Sequence, residues 1–528
     1  MDYAYDDARR QVTLTERNGS KITYLHDSRY RTTDILYQDG TREHFAYNEK
    51  NQKTLHTDRN GNTTRMSYDN RGNLTQLINP LGEKLTVTYD AHNNPINIKI
   101  NGKQKQKNTY DPQGNLTETE DALSRKTHFT YNTAGLPETV TYPDDSTLYI
   151  KYDDKNNITK ITDPTGAQTA YAYDALGRAV RITDPCGNQT SLTYDRADNL
   201  LTLTNPAGDT RSFTYNESNK VTSVTDFDGT VIRRTYNALN KPETITDQQG
   251  RTTRLTYDPM WNPASVTLPD GARTHYRYDR NNRLTQISDA LGNTINYTYD
   301  GNGNRTGQTD QMGNTTRFTY DALGRLTHVQ GEQGPEMTYT YDREGHLIQT
   351  QDALGNNAFL EYDQAGQLIK ETDPLGNSRT YTYTPLGKTQ TVTDETGRTT
   401  RYAYLPGGRL SAICHSDGTT ETYTYDPAGN IHTYTDRNGV TTRYAYDCLG
   451  RAIHASNSAG AQKEYTYDPV GNLTAMTDAH GNTTRYAYSP IGQLIKVTDP
   501  LGNETEYAYD PCDRLIEIRQ YGEGINAT

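Results

Sequence analysis

The sequence is poor in the residues from which globular proteins usually build a core. Its 528 residues include one Trp, six Phe and six Met, and hydrophobic residues make up only 32% of the chain. The mean hydropathy is −0.96, which is typical of chains that bury too little apolar surface to offset the entropy of ordering. Composition alone therefore favours disorder.

Long apolar segments are also missing. No run is long enough to span a membrane, and the start, MDYAYDDARR, has no basic segment followed by an apolar one. We therefore expect no membrane span and no signal peptide. The chain would then be a fragment, or its export would rely on something that its own sequence does not contain.

Cysteine and clustered positive charge are scarce as well. The four cysteines, Cys186, Cys414, Cys448 and Cys512, form no CxxC pair and fall at four different places in the repeat described below. We therefore expect unpaired thiols. The net charge is −12 and no Lys/Arg cluster of the kind that binds phosphate is visible, so we expect no nucleic-acid partner.

Tyrosine is abundant, and its placement reverses the expectation of disorder. Among 43 tyrosines, 24 occupy a slot that recurs every 21 residues from Tyr5 to Tyr509, and only His26 departs from it. Such a period indicates a repeat architecture. Each ring is large and has a polar tip, so spaced tyrosines can build a wall that hydropathy scales score as polar. Representative structural site residues are Tyr173, Tyr320, Tyr362, Tyr404, Tyr446 and Tyr488.

Two turns interrupt each unit. In the first, the slot tyrosine is followed by Asp or Asn and, three positions later, usually by Gly, as in Asp321 and Gly324. The second is typified by Asp373, Pro374 and Gly376. An Asx side chain bonds to the backbone two residues on, Pro presets φ, and Gly accepts the positive φ of a type I turn with a bulge. We predict that these residues form corners.

The segments between the turns are predicted to be strands of about five or six residues. One segment ends at the next slot tyrosine, so that Tyr402 and Tyr404 share a face while Ala403 points the other way. The other segment does not assign its faces clearly, because Leu326 and Val329 are an odd number of positions apart. Each unit is therefore predicted to contain two antiparallel strands.

The predicted fold is all-β, an array of antiparallel β-hairpins with a 21-residue period that coils into a spiral, hollow β shell. Roughly 50 strands spaced by ~4.8 Å make a ribbon ~240 Å long and ~20 Å wide. Because sheets twist and a flat aromatic face would be sticky, successive turns of the ribbon should meet edge to edge. We divide the chain into degenerate N-terminal repeats at 1–50, a regular shell at 51–509, and an incomplete last repeat and tail at 510–528.

The array of aspartates does not predict a catalytic or metal site. Catalytic carboxylate pairs need one site that differs from its neighbours, whereas Asp174 and Asp195 lie in equivalent turns. Residues 58–62 and 436–439 resemble a calcium loop only faintly, because Gly stands at the fourth position and no Glu follows at the twelfth. Trp261 replaces a turn glycine, and we favour a local packing variation over a contact point. We predict no catalytic residue, no cofactor and no metal.

Two motifs carry a resemblance to a known family. The stretch from Tyr320 reads YDALGRLT and that from Thr372 reads TDPLGN, and both are similar to the signature of the RHS or YD-repeat family. The resemblance covers nearly the whole chain and implies a cocoon-like β shell. Bacterial RHS polymorphic toxins and insecticidal toxin-complex components hold a toxic C-terminal domain inside such a shell, and teneurins use a related shell in cell-surface adhesion.

The chain also departs from the family pattern. Full-length bacterial members usually end the shell with a core domain whose DPxGL motif carries self-cleaving aspartates. Here every DPxG is followed by Asn or, at Ala167, by Ala, and no unrelated toxin domain follows Thr528. The resemblance therefore supports a shell and supports neither a protease nor a toxin.

The expected function is a non-enzymatic shell segment that encapsulates or presents a toxin or effector domain in bacterial competition. Its partners would be a C-terminal toxin domain or a secretion-system component absent from this chain, and the full-length protein would be secreted or displayed at the cell surface. Two alternatives stay open: a surface module that binds cell-surface glycans or another protein, and a fragment without an independent role.

Overall fold

A computed structural model describes the whole chain except residues 333, 335, 523, 524 and 528, and describes 525–527 by their backbone alone. Outside these gaps the chain consists of strands and turns without a helix, so none is present that could cross a membrane. The predicted tail at 510–528 lies partly outside the described residues, and the division of the chain into three stretches stays a prediction.

Strands follow one another along the whole chain. The strands of the first half are β1 Asp2–Asp6, β2 Gln11–Thr15, β3 Lys21–His26, β4 Thr32–Leu36, β5 Arg42–Tyr47, β6 Lys53–Thr57, β7 Thr63–Tyr68, β8 Leu74–Ile78, β9 Lys84–Tyr89, β10 Pro95–Ile100, β11 Lys103–Tyr110, β12 Leu116–Asp121, β13 Lys126–Tyr131, β14 Pro137–Thr141, β15 Thr147–Tyr152, β16 Ile158–Thr162, β17 Gln168–Tyr173, β18 Ala179–Thr183, β19 Gln189–Tyr194, β20 Leu200–Thr204, β21 Thr210–Tyr215, β22 Val221–Thr225, β23 Val231–Tyr236, β24 Pro242–Thr246 and β25 Thr252–Tyr257. Those of the second half are β26 Pro263–Thr267, β27 Arg273–Tyr278, β28 Leu284–Ser288, β29 Thr294–Tyr299, β30 Arg305–Thr309, β31 Thr315–Tyr320, β32 Leu326–Gly331, β33 Glu336–Tyr341, β34 Leu347–Asp352, β35 Asn357–Tyr362, β36 Leu368–Thr372, β37 Ser378–Tyr383, β38 Thr389–Thr393, β39 Thr399–Tyr404, β40 Leu410–Cys414, β41 Thr420–Tyr425, β42 Ile431–Thr435, β43 Thr441–Tyr446, β44 Ala452–Asn457, β45 Gln462–Tyr467, β46 Leu473–Asp478, β47 Thr483–Tyr488, β48 Leu494–Thr498, β49 Glu504–Tyr509, β50 Leu515–Gly522 and β51 Ile525–Ala527.

Each strand pairs antiparallel with the next one in sequence, as in the pairings from β38 to β41, so the chain is one meandering sheet. A β-bulge recurs where the slot residue pairs in every unit from His26 to Tyr509, whereas the pairing at Tyr5 has none. In one unit Tyr320 lies opposite Leu326 and Phe318 lies opposite Val329, with a register shift between Thr319 and Tyr320. Because Phe318 and Tyr320 share a face, Leu326 and Val329 share it too, and the bulge accounts for their odd spacing.

The two predicted turns of the unit prove to have the same backbone geometry. The N–H of Asp373 donates to the carbonyl of Asn377 at 2.9 Å, and the N–H of Gly376 donates to the carbonyl of Asp373 at 3.0 Å. The first turn repeats this pair of bonds at Asp321 and Gly324. The two glycines have φ values of 87° and 77°, a left-handed conformation that costs a residue with a Cβ more than it costs glycine.

The sheet encloses no solid hydrophobic core. The described chain exposes 30143 Å², whereas a compact globular monomer of its mass would expose about 19,000 Å². Among the described hydrophobic side chains only Phe45, 7% exposed, is buried. A single layer of sheet with two exposed faces accounts for the excess surface, which confirms the predicted β shell.

Long-range contacts show how the ribbon coils. The side-chain amide of Asn60 donates to Asp300 at 2.9 Å, and that of Asn302 donates to Asp58 at 2.7 Å. The slot tyrosines of these two units, Tyr47 and Tyr299, are 252 residues or twelve 21-residue units apart. Twelve units contain roughly 24 strands, which at ~4.8 Å each gives a coil ~115 Å around and ~37 Å across.

The same offset recurs along what we call the coil seam, where the second turns of one coil meet the first turns of the next. Other pairs across the seam are Asp39–Asn281, Lys105–Glu344, Arg125–Gln367 and Asp270–Arg514. Trp261 has the positive φ of the glycine it replaces, 68°, and lies 5.3 Å from the guanidinium of Arg17 across the seam. Successive coils therefore meet edge to edge, corner against corner.

Candidate functional site: the tyrosine ladder and the coil seam

The slot tyrosines link each unit to the preceding one through their hydroxyl groups. The hydroxyl of Tyr404 donates to the backbone carbonyl of Thr389, fifteen residues upstream, at 2.6 Å. Twenty slot tyrosines make the equivalent bond, among them Tyr173, Tyr320 and Tyr446, each at 2.8 Å. We call this series of bonds the tyrosine ladder. It fastens the two paired strands on either side of a second turn, such as β38 and β39, by a side chain in addition to the backbone pairing.

Two of the predicted site tyrosines differ from the rest. Within the described part of the chain Tyr362 and Tyr488 make no ladder bond, and Tyr362 instead stacks on His346 with 4.8 Å between ring centroids. Burial raises the pKa of Tyr362, Tyr404 and Tyr488 above the ordinary value of 10.0. The hydroxyl groups of all three are therefore protonated and neutral at physiological pH. These side chains contribute through packing of the ring or by donating a hydrogen bond.

The first-turn corner carries a clamp that the sequence reasoning missed. Arg325 places Nε 2.6 Å from Asp321 Oδ2, and its guanidinium lies 4.8 Å from the ring centroid of Tyr341, the next slot tyrosine. Burial of Asp321 opposes ionisation, but the bond from Arg325 brings its pKa below the ordinary value. The recurring Gly-Arg dipeptide was the available signal. The same stacking occurs for Arg31, Arg178, Arg283, Arg409 and Arg451 on their next slot tyrosines.

The second-turn corner is held by its aspartate. Asp373 Oδ1 accepts the N–H groups of Leu375 and Asn377, each at 2.9 Å, and Oδ2 accepts the side-chain amide of Asn377 at 2.8 Å. These bonds, that of the Asn377 side chain foremost, lower the pKa of Asp373. Pro374 follows directly, at a position whose N–H makes no backbone bond in the equivalent turns. The carboxylate is fully engaged in closing the corner.

The structure keeps the predicted site residues apart. Tyr320, Asp321 and Gly324 belong to one corner, and Asp373, Pro374 and Gly376 to another. In the parts of the chain that are described, no three His, Cys, Asp or Glu side chains form a group that could hold a metal ion. The aspartates of the two calcium-like segments, Asp58 and Asp436, accept turn N–H groups like the others.

One titratable cluster departs from the repeat. Glu421 accepts from His415 at 2.8 Å, from Tyr423 at 3.1 Å and from Tyr434 at 2.9 Å. The bond from His415 lowers the pKa of Glu421, while burial together with the glutamate raises the pKa of Tyr423 to about 12. The tyrosine is neutral and the carboxylate has its hydrogen-bond partners. The polar atoms of this cluster thus satisfy one another, and we interpret the cluster as part of the packing of the sheet.

The four cysteines are all free, as predicted. Cys186 and Cys448 line the same open cavity of about 740 Å³ where two coils adjoin, together with Tyr446. Neither thiol belongs to a metal-ligand group in the residues described. The cavity follows the seam, between second turns of one coil and first turns of the next.

Sequence comparison agrees with this architecture. The profile of the family described as Teneurin YD-shell matches residues 44–188, 271–415 and 388–527, and the RHS Repeat profile matches 174–210 and 194–231. Together the YD-shell matches cover well over half of the chain. No curated protein sequence matches the chain at a significant level.

Solved structures share the fold at low sequence identity. A Tc holotoxin pore of Photorhabdus luminescens matches with a TM-score of 0.55 and 14% identity, over 98% of this chain and 39% of that one. The TcdB2-TccC3-Cdc42 crystal structure matches with a TM-score of 0.52 and 14% identity, over 95% of this chain and 36% of that one. The chain thus spans less than half the length of the structures it resembles.

Proposed function

The chain belongs to the teneurin YD-shell and RHS-repeat family, and on this premise we propose that it is a non-enzymatic wall segment that encloses or presents a toxin or effector domain in bacterial competition. Its role is structural. The observation that carries the proposal is the single-layered wall, whose exposed area of 30143 Å² far exceeds the ~19,000 Å² of a solid protein. A coil with an interior face provides a surface against which a cargo domain can be kept.

Three further observations support this function. The aspartates at the start of the corners, such as Asp321 and Asp373, close turns, and their carboxylates are engaged there. The likeness to a Tc holotoxin pore supports a toxin component or secretion-system component as the partner, and with it a secreted or surface location for the full-length protein. The same corner geometry recurs along the chain, which is typical of a structural wall. A catalytic site needs a local environment that differs from those around it.

The glycan-binding alternative receives less support. Carbohydrate recognition by tyrosine uses an exposed ring with an available hydroxyl, whereas the ladder hydroxyls of Tyr404, Tyr446 and the equivalent residues already donate to backbone carbonyls. An adhesive role would have to use side chains outside the ladder. A glycan panel with the isolated chain separates the two functions, because a shell without adhesive function shows no saturable binding.

Protection of a cargo from protease tests the proposal. A reporter peptide with one protease site is joined after Thr528, and its cleavage rate is compared with that of the same reporter on a chain in which Asn60→Ala and Asn302→Ala weaken the coil seam. An enclosing wall makes cleavage about tenfold slower in the intact chain than in the weakened one, because cleavage then requires opening. Equal rates for the intact chain, the weakened chain and the free reporter contradict enclosure.

A further inference from the structure

The coil seam is bonded unevenly along its length. Side-chain bonds and ion pairs cross it at second turns from Asp39 to Asp163, and again at Arg251 and Asp270. In the described part of the chain no such contact crosses it between Asp163 and Arg251, whereas elsewhere no two consecutive units lack one. Three consecutive units are thus unbonded, and we call this stretch the seam gap. Its corners are residues 184–188, 205–209 and 226–230 on the first coil, and 426–430, 447–451 and 468–472 on the second.

The six corners of the seam gap carry an excess of like charge. They contain seven aspartates and a single basic residue, Arg451, which is bonded to Asp447 within its own corner at 2.7 Å. Arg211, on β21 beside the gap, pairs with Asp226 at 2.7 Å, and the other corner aspartates have no ion pair within the described residues. Acidic corners therefore face acidic corners, and at physiological salt charges closer than about 8 Å still repel one another.

Cavities lie between the two coils in the seam gap. One of about 740 Å³ is lined by Asp184 of the first coil and Asp426 of the second, and another of about 350 Å³ is lined by Asp228 and Asp468. At a bonded corner, in contrast, a Cβ added to Gly301 would lie 2.8 Å from a backbone carbonyl oxygen of the other coil. The coils are therefore in close contact at that corner and leave open volume in the gap.

Two equivalent aspartates show what the gap lacks. Asp39 and Asp228 occupy the same position of their units, each followed by Gly-Thr, and Oδ1 of each accepts that threonine hydroxyl at 2.6 Å. Oδ2 of Asp39 also accepts the side-chain amide of Asn281 across the seam at 2.6 Å, at an offset of 242 residues. At the same offset from Asp228 stands Val470, which has no donor to offer. One residue thus distinguishes a bonded corner pair from an unbonded one.

We propose that the wall opens at the seam gap: the two coils separate there while the seam stays bonded on both sides, and the opening connects the two faces of the wall. Separation breaks no hairpin, because each corner of the gap keeps its own backbone bonds, such as that from Gly229 to Asp226 at 2.9 Å. Local opening of this kind occurs where few contacts hold two elements together. The inference concerns the wall itself and does not depend on what the wall encloses.

Cys448 is a natural reporter of this opening. It lines the larger cavity of the gap and occupies the position of the unit at which Gly301 faces the other coil. The chain with Cys186→Ser, Cys414→Ser and Cys512→Ser is treated with a maleimide whose polyethylene glycol chain is larger than the cavity, and a gel shift measures the labelling rate. Labelling of Cys448 then follows the population of the open form.

The decisive variant supplies the missing donor. Val470→Asn places a side-chain amide opposite Asp228, as Asn281 stands opposite Asp39, and is expected to slow labelling of Cys448 about fivefold, the effect of about one added hydrogen bond. Asn281→Val, which removes the same kind of bond at a corner pair far from the gap, is the matched control and is expected to leave the labelling rate of Cys448 unchanged.

Other outcomes overturn the proposal. A chain with Val470 intact whose Cys448 reacts only after denaturation has a seam that stays closed at the gap. An Asn281→Val variant that labels as much faster as Val470→Asn labels slower shows that the whole seam opens at once. Far-UV circular dichroism confirms that each variant is folded. If Val470→Asn does not fold, Ala428→Arg, which adds a positive charge between the corners of Asp184 and Asp426, replaces it with the same expected slowing.

Discussion

The tyrosine hydroxyl explains how a chain with a mean hydropathy of −0.96 keeps an ordered wall. The ring packs on the sheet, and the hydroxyl reaches a carbonyl at the far end of the paired strand, as Tyr404 on β39 reaches Thr389 on β38 at 2.6 Å. A phenylalanine would supply the ring alone. The tyrosine hydroxyls lower the hydropathy of the chain and make its composition typical of disorder. The same hydroxyls form the bonds that hold the strands of the wall together.

Loss of one ladder hydroxyl should have a local cost. We predict that Tyr404→Phe lowers the free energy of local opening at β38 and β39 by about 1 kcal/mol, because a carbonyl loses its donor. Hydrogen exchange at the amides of Thr389–Thr393 measures it. Tyr488→Phe is the matched control, since Tyr488 makes no ladder bond in the described residues, and its effect should be close to zero. Equal effects in both variants would show that the hydroxyl bond contributes nothing.

The ladder also predicts a dependence on alkaline pH. The pKa of Tyr404 in the fold is raised above 10.0 by burial, so above pH 10 the unfolded chain loses this proton while the folded chain still holds it. The stability from this group is complete below pH 10 and is lost as the pH rises through the raised pKa. The same exchange experiment should show wild type losing protection above pH 10 and Tyr404→Phe losing less.

The positions and faces of the tyrosines could be predicted from the sequence, since a period of 21 and a spacing of two residues determine both. The acceptor of the hydroxyl could not. Thr389 lies fifteen residues before Tyr404, and its carbonyl is brought within reach only by the turn between them and by the bulge opposite the tyrosine. A sequence pattern locates a side chain on a strand, whereas the bond depends on how two paired strands are offset.

At the level of the hairpin, the stabilising device is the corner. Both turns use the same two backbone bonds, and an Asx oxygen accepts two further N–H groups at the corners of Asp321 and Asp373. The sequence predicted these corners because Asp, Pro and Gly have distinct conformational roles. It did not predict the bulge opposite the slot tyrosine, which is created by pairing between strands and has no residue signature in segments such as Leu326–Gly331.

The arginine clamp makes a prediction at this scale. Arg325, 19% exposed, bridges Asp321 and the ring of Tyr341, whereas Arg398 makes the same kind of bond to Asp394 but is 67% exposed and has no ring beneath it. We predict that Arg325→Lys destabilises β32 and β33 by about 1 kcal/mol, because the planar guanidinium both stacks and bonds. Arg398→Lys should change the local stability by less than about 0.5 kcal/mol.

Hydrogen exchange of the two hairpins gives the comparison directly. Protection that drops equally in the two variants would mean that the ring contact of Arg325 adds nothing to the turn bond. Protection that drops only in Arg325→Lys would assign the difference to Tyr341, the ring that Arg325 covers. The two arginines serve as each other's control because each already pairs with the aspartate four residues before it.

For the whole molecule, the stabilising contact is the coil seam. The sequence could predict that the sheet forms a spiral, because sheets twist and a flat ribbon with an exposed aromatic face would be prone to association. The twelve units per coil could not be predicted, because the number is set by a small rotation between neighbouring strands that accumulates over roughly 24 strands. The curvature of the ribbon therefore decides which residues meet across the seam, such as Asn60 and Asp300. No sequence pattern identifies these pairs.

Two equivalent asparagines differ in whether they bond across the coil seam. Asn60 and Asn438 occupy the same position of the second turn in the stretches DRNGN and DRNGV. Among the residues that the structure describes, Asn60 bonds to another coil, at Asp300 and at the N–H of Asn302, and Asn438 does not. We predict that Asn60→Ala speeds hydrogen exchange at residues 300–304 about fivefold, corresponding to ~1 kcal/mol. Asn438→Ala should leave exchange unchanged throughout.

The offset of twelve units bears on how such a gene can gain or lose repeats. Removal of one whole unit between Tyr215 and Tyr236 would leave every remaining hairpin with its own turns. Yet Asn60 would then face the unit of Tyr320, where Leu323 stands in place of Asn302. A deletion of one whole unit would keep every hairpin intact but would misalign the contacts between coils. The number of repeats is therefore constrained by the coil seam, and the sequence of a single repeat does not show this constraint.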